Sequence, residues 1–336
     1  MARKKFSLPM EHDADGMRFA TPERVAAYRA RRLSCATLLE IGCGIGGQTI
    51  AFARTCERVM AVDIDPVKVE CAKRNCRRAG VENVEFFVAD GASEEFASTI
   101  EEVDYVFCDP TRAPAEPTRT LESLNPSPTR LLSLYKGVCR GLAIEAPPQL
   151  APDRVPLRCE REYLSLDGTL NRLTLYFGEL MECERSCVSL SDHESRLCSG
   201  GEGKVEIVDA VSPLCFEPDP ALIKAGLLRR LAHVLKETLR ILVWDEKRCL
   251  LTSEHMLHSP FLVHSFLVVA HLKGGDAIKR ANELLKERAK RVLIRGSLSP
   301  REYWGVRGAL ERGIHGNEVF HAFLRDDEVL LLKLIA

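Results

Sequence analysis

The chain has 336 residues, 46% of them hydrophobic and 28% charged, with 47 Lys and Arg against 48 Asp and Glu. That length and apolar content suit about two globular domains, and the near-zero balance excludes nucleic-acid binding by bulk positive charge, leaving local clusters as the only route. Thirteen scattered cysteines, with no leader ahead of them, indicate reduced thiols in the cytoplasm, and the longest apolar run, residues 261–272, is broken by His264 and Ser265 and falls short of the ~20 residues of a membrane span.

Residues 1–33 hold eight Lys and Arg against four Asp and Glu and read as a helical extension in which Thr21 caps a helix opening at Pro22. From Leu33 to about Ile144, the runs "ATLLEI", "RVMAVDI", "NVEFFVA", "VDYVFCD" and "GLAIEAP" alternate with helical patterns, the signature of a parallel sheet covered by helices. Asp65 and Pro66 read as the cap and first residue of the helix that Gly80 closes. "REYLSLDGTLNRLTLYFGEL" is a hairpin about Asp167-Gly168. A polar stretch, Ser191–Gly203, suggests a boundary, so that residues 34–200 form one domain and 201–336 a second, smaller α+β domain. In the latter, "DAIKRANELLKERAKR" reads as a basic helix, "VLIRG" as a strand, Ser299 to Glu302 as a capping box, and "EVFHAFLRDDEVLLLKLI" as a closing strand pair.

The stretch "LLEIGCGIGGQTIAFA" parses in two ways. Gly42, Gly44 and Gly47 fit the dinucleotide fingerprint, while Glu40, Gly42, Gly44 and Gly46 form E-x-G-x-G-x-G. Either loop brings backbone close to a ligand and offers helix N-terminal amides, and Asp63 with Ile64 ends the second strand where a carboxylate takes ribose hydroxyls. Glu40 breaks the tie, because it would repel a pyrophosphate yet hold the amino group of a methionine moiety. Asp90-Gly91 ends the third strand in position to accept from an adenine amine. Asp109-Pro110 ends the fourth, at the carboxyl edge where open α/β sheets hold ligands.

These ordered strand-end motifs resemble the class I S-adenosylmethionine-dependent methyltransferases over residues 19–180. The resemblance implies a Rossmann-like, mostly parallel sheet with an antiparallel last strand, S-adenosylmethionine as cofactor, and Asp109, Pro110 and Arg112 as the catalytic group. The motif departs from the amine-methylating D-P-P-aromatic pattern, since Thr111 and Arg112 stand where a proline and a stacking ring would be. Arg112 can stack or pair with a phosphate instead.

"FATPERVA" resembles the segment before the fold in trimethylguanosine synthase-like enzymes, which implies donor contacts from Phe19 and Thr21. "EPDPALIKAGLL", "SEHMLHSPF" and "VLIRGSLSPREYWGVRGAL" resemble the THUMP-like domain appended to a group of these enzymes.

The function so implied is RNA N-methylation, of a guanosine in tRNA, rRNA or another structured RNA. The RNA would dock through the N-terminal extension and the basic C-terminal domain, where residues 273–312 hold eleven Lys and Arg against five Asp and Glu and Tyr303 and Trp304 stand nearby. Two alternatives stay open: a small-molecule or protein methyltransferase, and a non-catalytic donor-binding factor in RNA assembly. Cys183, Cys187, His193 and Cys198 have knuckle-like spacing, but no metal is expected of them. His255, His258, His264 and His271 lack a repeated ligand offset and read as core or interface histidines.

Overall fold

The computed structural model describes residues 5–13, 16–112, 120–245, 248–296 and 298–335. The chain divides into two compact units, Met1–Ser199 and Gly200–Ala336. In the first, the elements in chain order are α1 (Gly16–Phe19), α2 (Glu23–Arg32), β1 (Thr37–Ile41), α3 (Gly47–Ala53), β2 (Arg58–Asp63), α4 (Pro66–Arg78), β3 (Val84–Val88), α5 (Glu94–Ser98), β4 (Val103–Cys108), the short pair β5 (Thr111–Arg112) and β6 (Leu124–Asn125), α6 (Pro128–Tyr135), β7 (Cys139–Ala146), β8 (Glu160–Leu166), β9 (Thr169–Gly178), β10 (Arg185–Leu190) and β11 (Glu194–Cys198).

Nine strands make one sheet in the order β11-β10-β8-β9-β7-β4-β1-β2-β3. β3, β2, β1, β4 and β7 run parallel, each joined to the next in sequence through a helix, as right-handed crossovers require. β9 then inserts antiparallel between β7 and β8. Its turn from β8 holds Asp167 at φ 49° and Gly168 at φ 71°, the two positive φ values that a type I′ hairpin needs. The resulting carboxyl edge of the parallel strands collects the ends of β1, β2, β3, β4 and β7, and the amino end of β9.

Apolar side chains on one face of the sheet anchor three of its helices. Leu38, Val59, Phe107, Ala143 and Tyr176 pack under Ala30, Leu33 and Phe52 from α2 and α3, and α4 contributes Val69 and Ala72 against Ala61. Asp65 accepts a hydrogen bond from Val67 N at 2.9 Å and caps α4. α2 departs from expectation: it opens at Glu23, its N-cap is Pro22, and no side chain caps it. Thr21 is instead buried, 5% exposed. The stretch read as a polar boundary also holds structure, because Glu194–Cys198 forms edge strand β11, paired to β10.

α2 is held by charge as well as by its apolar stripe. Arg32 pairs with Glu162 and, at 2.6 Å, with Glu160. Arg196 of β11 reaches both carboxylates at 2.7 and 3.1 Å. Tyr28 and Tyr176 donate to Glu162 at 2.8 and 3.2 Å, and the Arg32 guanidinium lies 3.6 Å from the Tyr176 ring centre. Burial pushes the Glu160 carboxyl up, but Arg32, the Ser186 hydroxyl and the Glu182 amide outweigh it and hold its pKa down at about 2.

The second unit comprises β12 (Val205–Ile207), β13 (Leu214–Pro218), α7 (Pro220–Ala225), α8 (Leu228–Leu235), β14 (Leu239–Asp245), β15 (Arg248–Ser253), β16 (Leu262–Lys273), α9 (Ala277–Leu285), β17 (Ala289–Arg295), α10 (Pro300–Leu310), β18 (Glu318–Arg325) and β19 (Glu328–Leu334). Its eight strands order as β12-β14-β15-β13-β16-β19-β18-β17, with Ala277, Ala281 and Leu285 of α9 and Leu310 of α10 packed on one face against Phe320, Ala322 and Leu331. The apolar run 261–272 supplies β16, a strand inside this sheet. No helix among the described residues is long and apolar enough to cross a membrane. Ser299 and Glu302 form the capping box of α10. The expected long basic helix is split: α9 stops at Leu285, and Lys290 and Arg291 lie on edge strand β17, where ladder pairing to β18 outweighs local helix propensity.

Candidate functional site

The loop from β1 to α3 turns on three glycines with positive φ, Gly42 (80°), Gly44 (54°) and Gly46 (83°). Two of them show separate needs. A Cβ on Gly46 would sit 3.0 Å from Ala72 of α4, whereas a Cβ on Gly44 would meet nothing within 4 Å. Gly46 therefore serves packing as well as the turn, and Gly44 presents bare backbone to open space, as a loop that cradles a ligand does. Gly42 abuts the Asp109 carbonyl, which a Cβ there would approach to 3.3 Å, so the loop and the end of β4 meet.

Asp63 ends β2 and accepts from the Gly44 amide at 2.8 Å through one oxygen and from the Asp65 amide at 3.0 Å through the other. The carboxylate shapes the loop and keeps acceptor capacity for a further donor. Ile64 beside it is 70% exposed, a large apolar side chain at the same edge. Asp90 is exposed and accepts from Ala92 N at 2.9 Å. Gly91 is buried because a Cβ would come within 2.8 Å of Ile41 Cγ2 and 3.0 Å of Val62 Cγ1, and its carbonyl accepts from Tyr135 Oη at 2.6 Å.

Glu40 is 1% exposed, and its Oε2 has no hydrogen-bond partner. Burial pushes its pKa up to about 8, with the charges of Asp109 and Asp63 adding to that and Arg29 opposing it. A buried carboxyl with an orphaned oxygen beside a glycine loop is suited to a cationic or N–H-bearing ligand group, whose contact would return it to the charged form.

Asp109 is half-buried and Pro110 buried at the end of β4. Thr111 Oγ1 donates to Asn125 O at 3.0 Å, and β5 pairs with β6, which fixes the chain just beyond Pro110. The side chains of Phe19 and Arg112 lie outside the described residues, as does segment 113–119. The Thr21 carbonyl is near Gly47, 3.9 Å from a Cβ built there.

Residues inside elements, which motif reading passes over, complete the surroundings. Arg29 of α2 donates to Gln48 Oε1 at 2.7 Å and pairs with Glu145 of β7. Arg172 of β9 lies 3.3 Å from Glu145. Burial lowers the Arg172 pKa, opposed by the charge of Asp109, and burial followed by the charge of Arg172 lowers that of Lys5; Lys5 Nζ donates to Met17 O at 2.8 Å and Arg18 O at 3.1 Å. Asn75 of α4 donates to Ile45 O of the loop at 2.9 Å and to Glu11 O at 2.8 Å, while accepting from Glu11 N at 2.8 Å. It ties the N-terminal segment to the glycine loop. A buried Asn inside a helix is the one signal of this in the sequence, since such a side chain needs partners.

A cavity of about 160 Å³ lies between this segment, α2 and α3, lined by Phe6, Leu8, Met10, Ala26 and Ile50 among others. It touches Gly47 but none of the strand-end carboxylates.

The knuckle-like set does not assemble. Cys187 is buried within β10, and His193 is exposed in the turn beyond it. Cys183 and Cys198 approach Glu160, whose oxygens already serve Arg32, Arg196 and Ser186. Among the histidines of the second unit, His264 pairs with Glu217 at 2.9 Å and His271 with Glu328 at 3.1 Å.

Residues 38–124 match the family model described as a methyltransferase domain. By that match the chain carries a methyltransferase domain. An uncharacterized S-adenosylmethionine-dependent methyltransferase of Mycobacterium tuberculosis is 26% identical over 227 residues, 64% of this chain and 59% of the relative. The 23S rRNA (uracil-C5)-methyltransferase RlmD of Xylella fastidiosa is 47% identical over 53 residues, 16% of this chain and 12% of the relative. The chain therefore spans less than two thirds of either. Among solved structures, a putative methyltransferase from Porphyromonas gingivalis superposes with a TM-score of 0.75 at 16% identity, over 96% of this chain and 83% of that one, a likeness of fold. The orphaned Glu40 oxygen and open Gly44 backbone suit S-adenosylmethionine, the donor named for the mycobacterial relative.

Proposed function

We propose that the protein is an N-methyltransferase acting on RNA, and on guanosine within it. The observation that carries this is the position of Asp109-Pro110 at the carboxyl edge, in contact with the glycine loop through Gly42. In this reading Glu40 holds the methionine amino group, Asp63 the ribose, Asp90 the adenine amine, Ile64 and Gly91 the faces of the adenine, and Phe19 and Thr21 close the donor side. Bound S-adenosylmethionine supplies an electrophilic methyl group on a sulfonium.

Much of the acceleration then comes from positioning and the exclusion of water. Asp109 accepts an N–H of the guanine amine, so that the nitrogen lone pair faces the methyl group, and the Pro110 carbonyl assists. Arg112 holds the base or its phosphate where the family's aromatic ring is missing. The charge of Arg172, felt with that of Asp109, favours an anionic acceptor such as a nucleotide.

The rRNA and tRNA specificities named for relatives support an RNA acceptor. They concern a carbon of uracil, and the shared segments cover 12% and 14% of those enzymes, so the guanosine assignment rests on the Asp109 motif and the trimethylguanosine synthase-like segment. The second unit, in the THUMP-like reading, docks the RNA.

Asp109→Ala separates this from other readings: transfer of labelled methyl to RNA is lost while donor affinity, measured by calorimetry, stays within about twofold. An Asp109→Ala enzyme that retains full turnover would remove Asp109 from the chemistry, and the exocyclic-amine acceptor with it.

A further inference from the structure

Helix α10 carries an outward stripe for which the fold itself offers no reason. Arg301, Trp304, Gly305 and Gly308 follow helical spacing and, with Arg312 in the turn two residues past the helix end, are all exposed, while Val306 and Leu310 on the opposite side join the core beneath. Trp304 is 66% exposed. Tyr303 buttresses it edge-on at 5.5 Å between ring centres, and the Arg307 guanidinium lies 5.6 Å from its ring. Arg307 is in turn paired with Glu311 at 3.0 Å, so the ring is held by neighbours rather than left to rotate freely.

The two glycines are the telling feature. Glycine inside a helix sacrifices backbone entropy and is normally excused by a close neighbour or a positive φ. Here a Cβ at Gly305 or Gly308 would meet nothing within 4 Å, and both sit in ordinary helical conformation. The remaining physical use of a missing side chain is close approach by something from outside. Arg301 and Arg312, one at each end of the stripe, make no ion pair among the described residues, so the free charge flanking the ring is positive.

We propose that this face of α10 is a docking platform for an unpaired segment of RNA. One base stacks on Trp304, the nucleotide lies down over Gly305 and Gly308, and the phosphates on either side meet Arg301 and Arg312. This rests on the reading of RNA as substrate and adds where, and in what form, the RNA is held. A duplex cannot use the ring, because its bases are already stacked.

The test uses the full chain with Trp244→Phe, so that Trp304 is the remaining tryptophan, and oligouridylate as probe. Trp304 fluorescence is quenched on titration, Trp304→Ala weakens binding by about tenfold, and an RNA duplex competes poorly. Arg301→Gln with Arg312→Gln lowers the salt slope by about two. The decisive variant is Gly305→Ala with Gly308→Ala, which raises the melting temperature and yet weakens RNA binding about fivefold or more. A merely structural role predicts the first effect alone. If the parent protein binds and methylates RNA and these variants match it in affinity, or if the duplex binds better than the single strand, the platform is overturned and the RNA reading stands. If the parent protein neither binds nor methylates RNA, the RNA reading falls and the platform with it.

Discussion

At Glu40 the demands of binding and of stability oppose each other. Its pKa of about 8 lies above that of the same side chain in the unfolded chain, about 4.5, so the folded state keeps a proton that the unfolded state has released. By linkage, the contribution of this residue to stability falls as pH rises from about 4.5 to about 8. Glu40→Gln should therefore raise the melting temperature of the donor-free protein at neutral pH and remove that part of its pH dependence, as differential scanning fluorimetry would register. The same substitution should weaken donor binding by about 1.5–3 kcal/mol, the worth of a hydrogen bond to a charged group. A stabilised variant with unchanged donor affinity would show Glu40 to be a misplaced core residue rather than a ligand group.

Asp63 behaves differently, because it already accepts from the Gly44 amide. Asp63→Ala should cost a comparable 1.5–3 kcal/mol in donor affinity, while nicotinamide dinucleotides remain without measurable binding to the parent protein. Calorimetry that found dinucleotide binding and no donor binding would restore the other parse of the glycine loop. Glu40, Asp63, Asp90 and Asp109 were visible in the sequence because strand ends of a parallel sheet meet at one edge, so residues far apart in the chain announce a common location. Arg29, Asn75, Glu145 and Arg172 were not, since each lies within an element whose local pattern says only helix or strand.

Among elements, α2 depends most on charge. Glu160 and Glu162 are 0% and 1% exposed, and Arg32 is the one helix residue that neutralises both. Removing one partner of a buried ion pair leaves an uncompensated charge and typically costs 3–5 kcal/mol, so Arg32→Ala should lower unfolding stability by about that much in urea melts. The Glu160 pKa, held near 2, stabilises the fold above about pH 4.5 and loses that contribution as pH falls toward 2. Without Arg32 the loss should begin at higher pH. A melt unchanged in both respects would mean that the apolar stripe of Val25, Tyr28 and Leu33 suffices.

The tie from α2 to this network was illegible in the sequence, because Arg32 and its carboxylates stand 128 and 130 positions apart with no local signature. The short apolar runs of β1, β2 and β4 were legible, their near-continuous burial being that of strands covered on both faces, and so was the β8–β9 hairpin about Asp167-Gly168. Where periodicity and pairing conflict, pairing wins: residues 286–291 continue a helical pattern, yet β18 draws Ala289–Arg295 into its ladder. At the start of α2, Thr21 has the chemistry of a cap, but it is buried, and the Glu23 amide donates to Lys5 O instead at 3.1 Å, an N-terminal contact no local rule anticipates.

For the whole molecule, net charge near zero leaves local clusters to act. If RNA is the substrate, Arg301 and Arg312 in the second unit favour a polyanion locally, while Lys290 and Arg291 lie on edge strand β17, where charged side chains discourage strand pairing with other chains. An enzyme built this way should lose RNA affinity steeply with salt but donor affinity hardly at all.

The most direct test of the central claim is to incubate the protein with methyl-labelled S-adenosylmethionine and total cellular RNA, digest the RNA to nucleosides, and identify the labelled nucleoside by mass spectrometry. The account predicts label on a methylguanosine, absent with Asp109→Ala. Label confined to methyladenosine, methylcytidine or methyluridine would contradict the guanosine assignment, and label on protein or on a small metabolite with none on RNA would contradict the account itself.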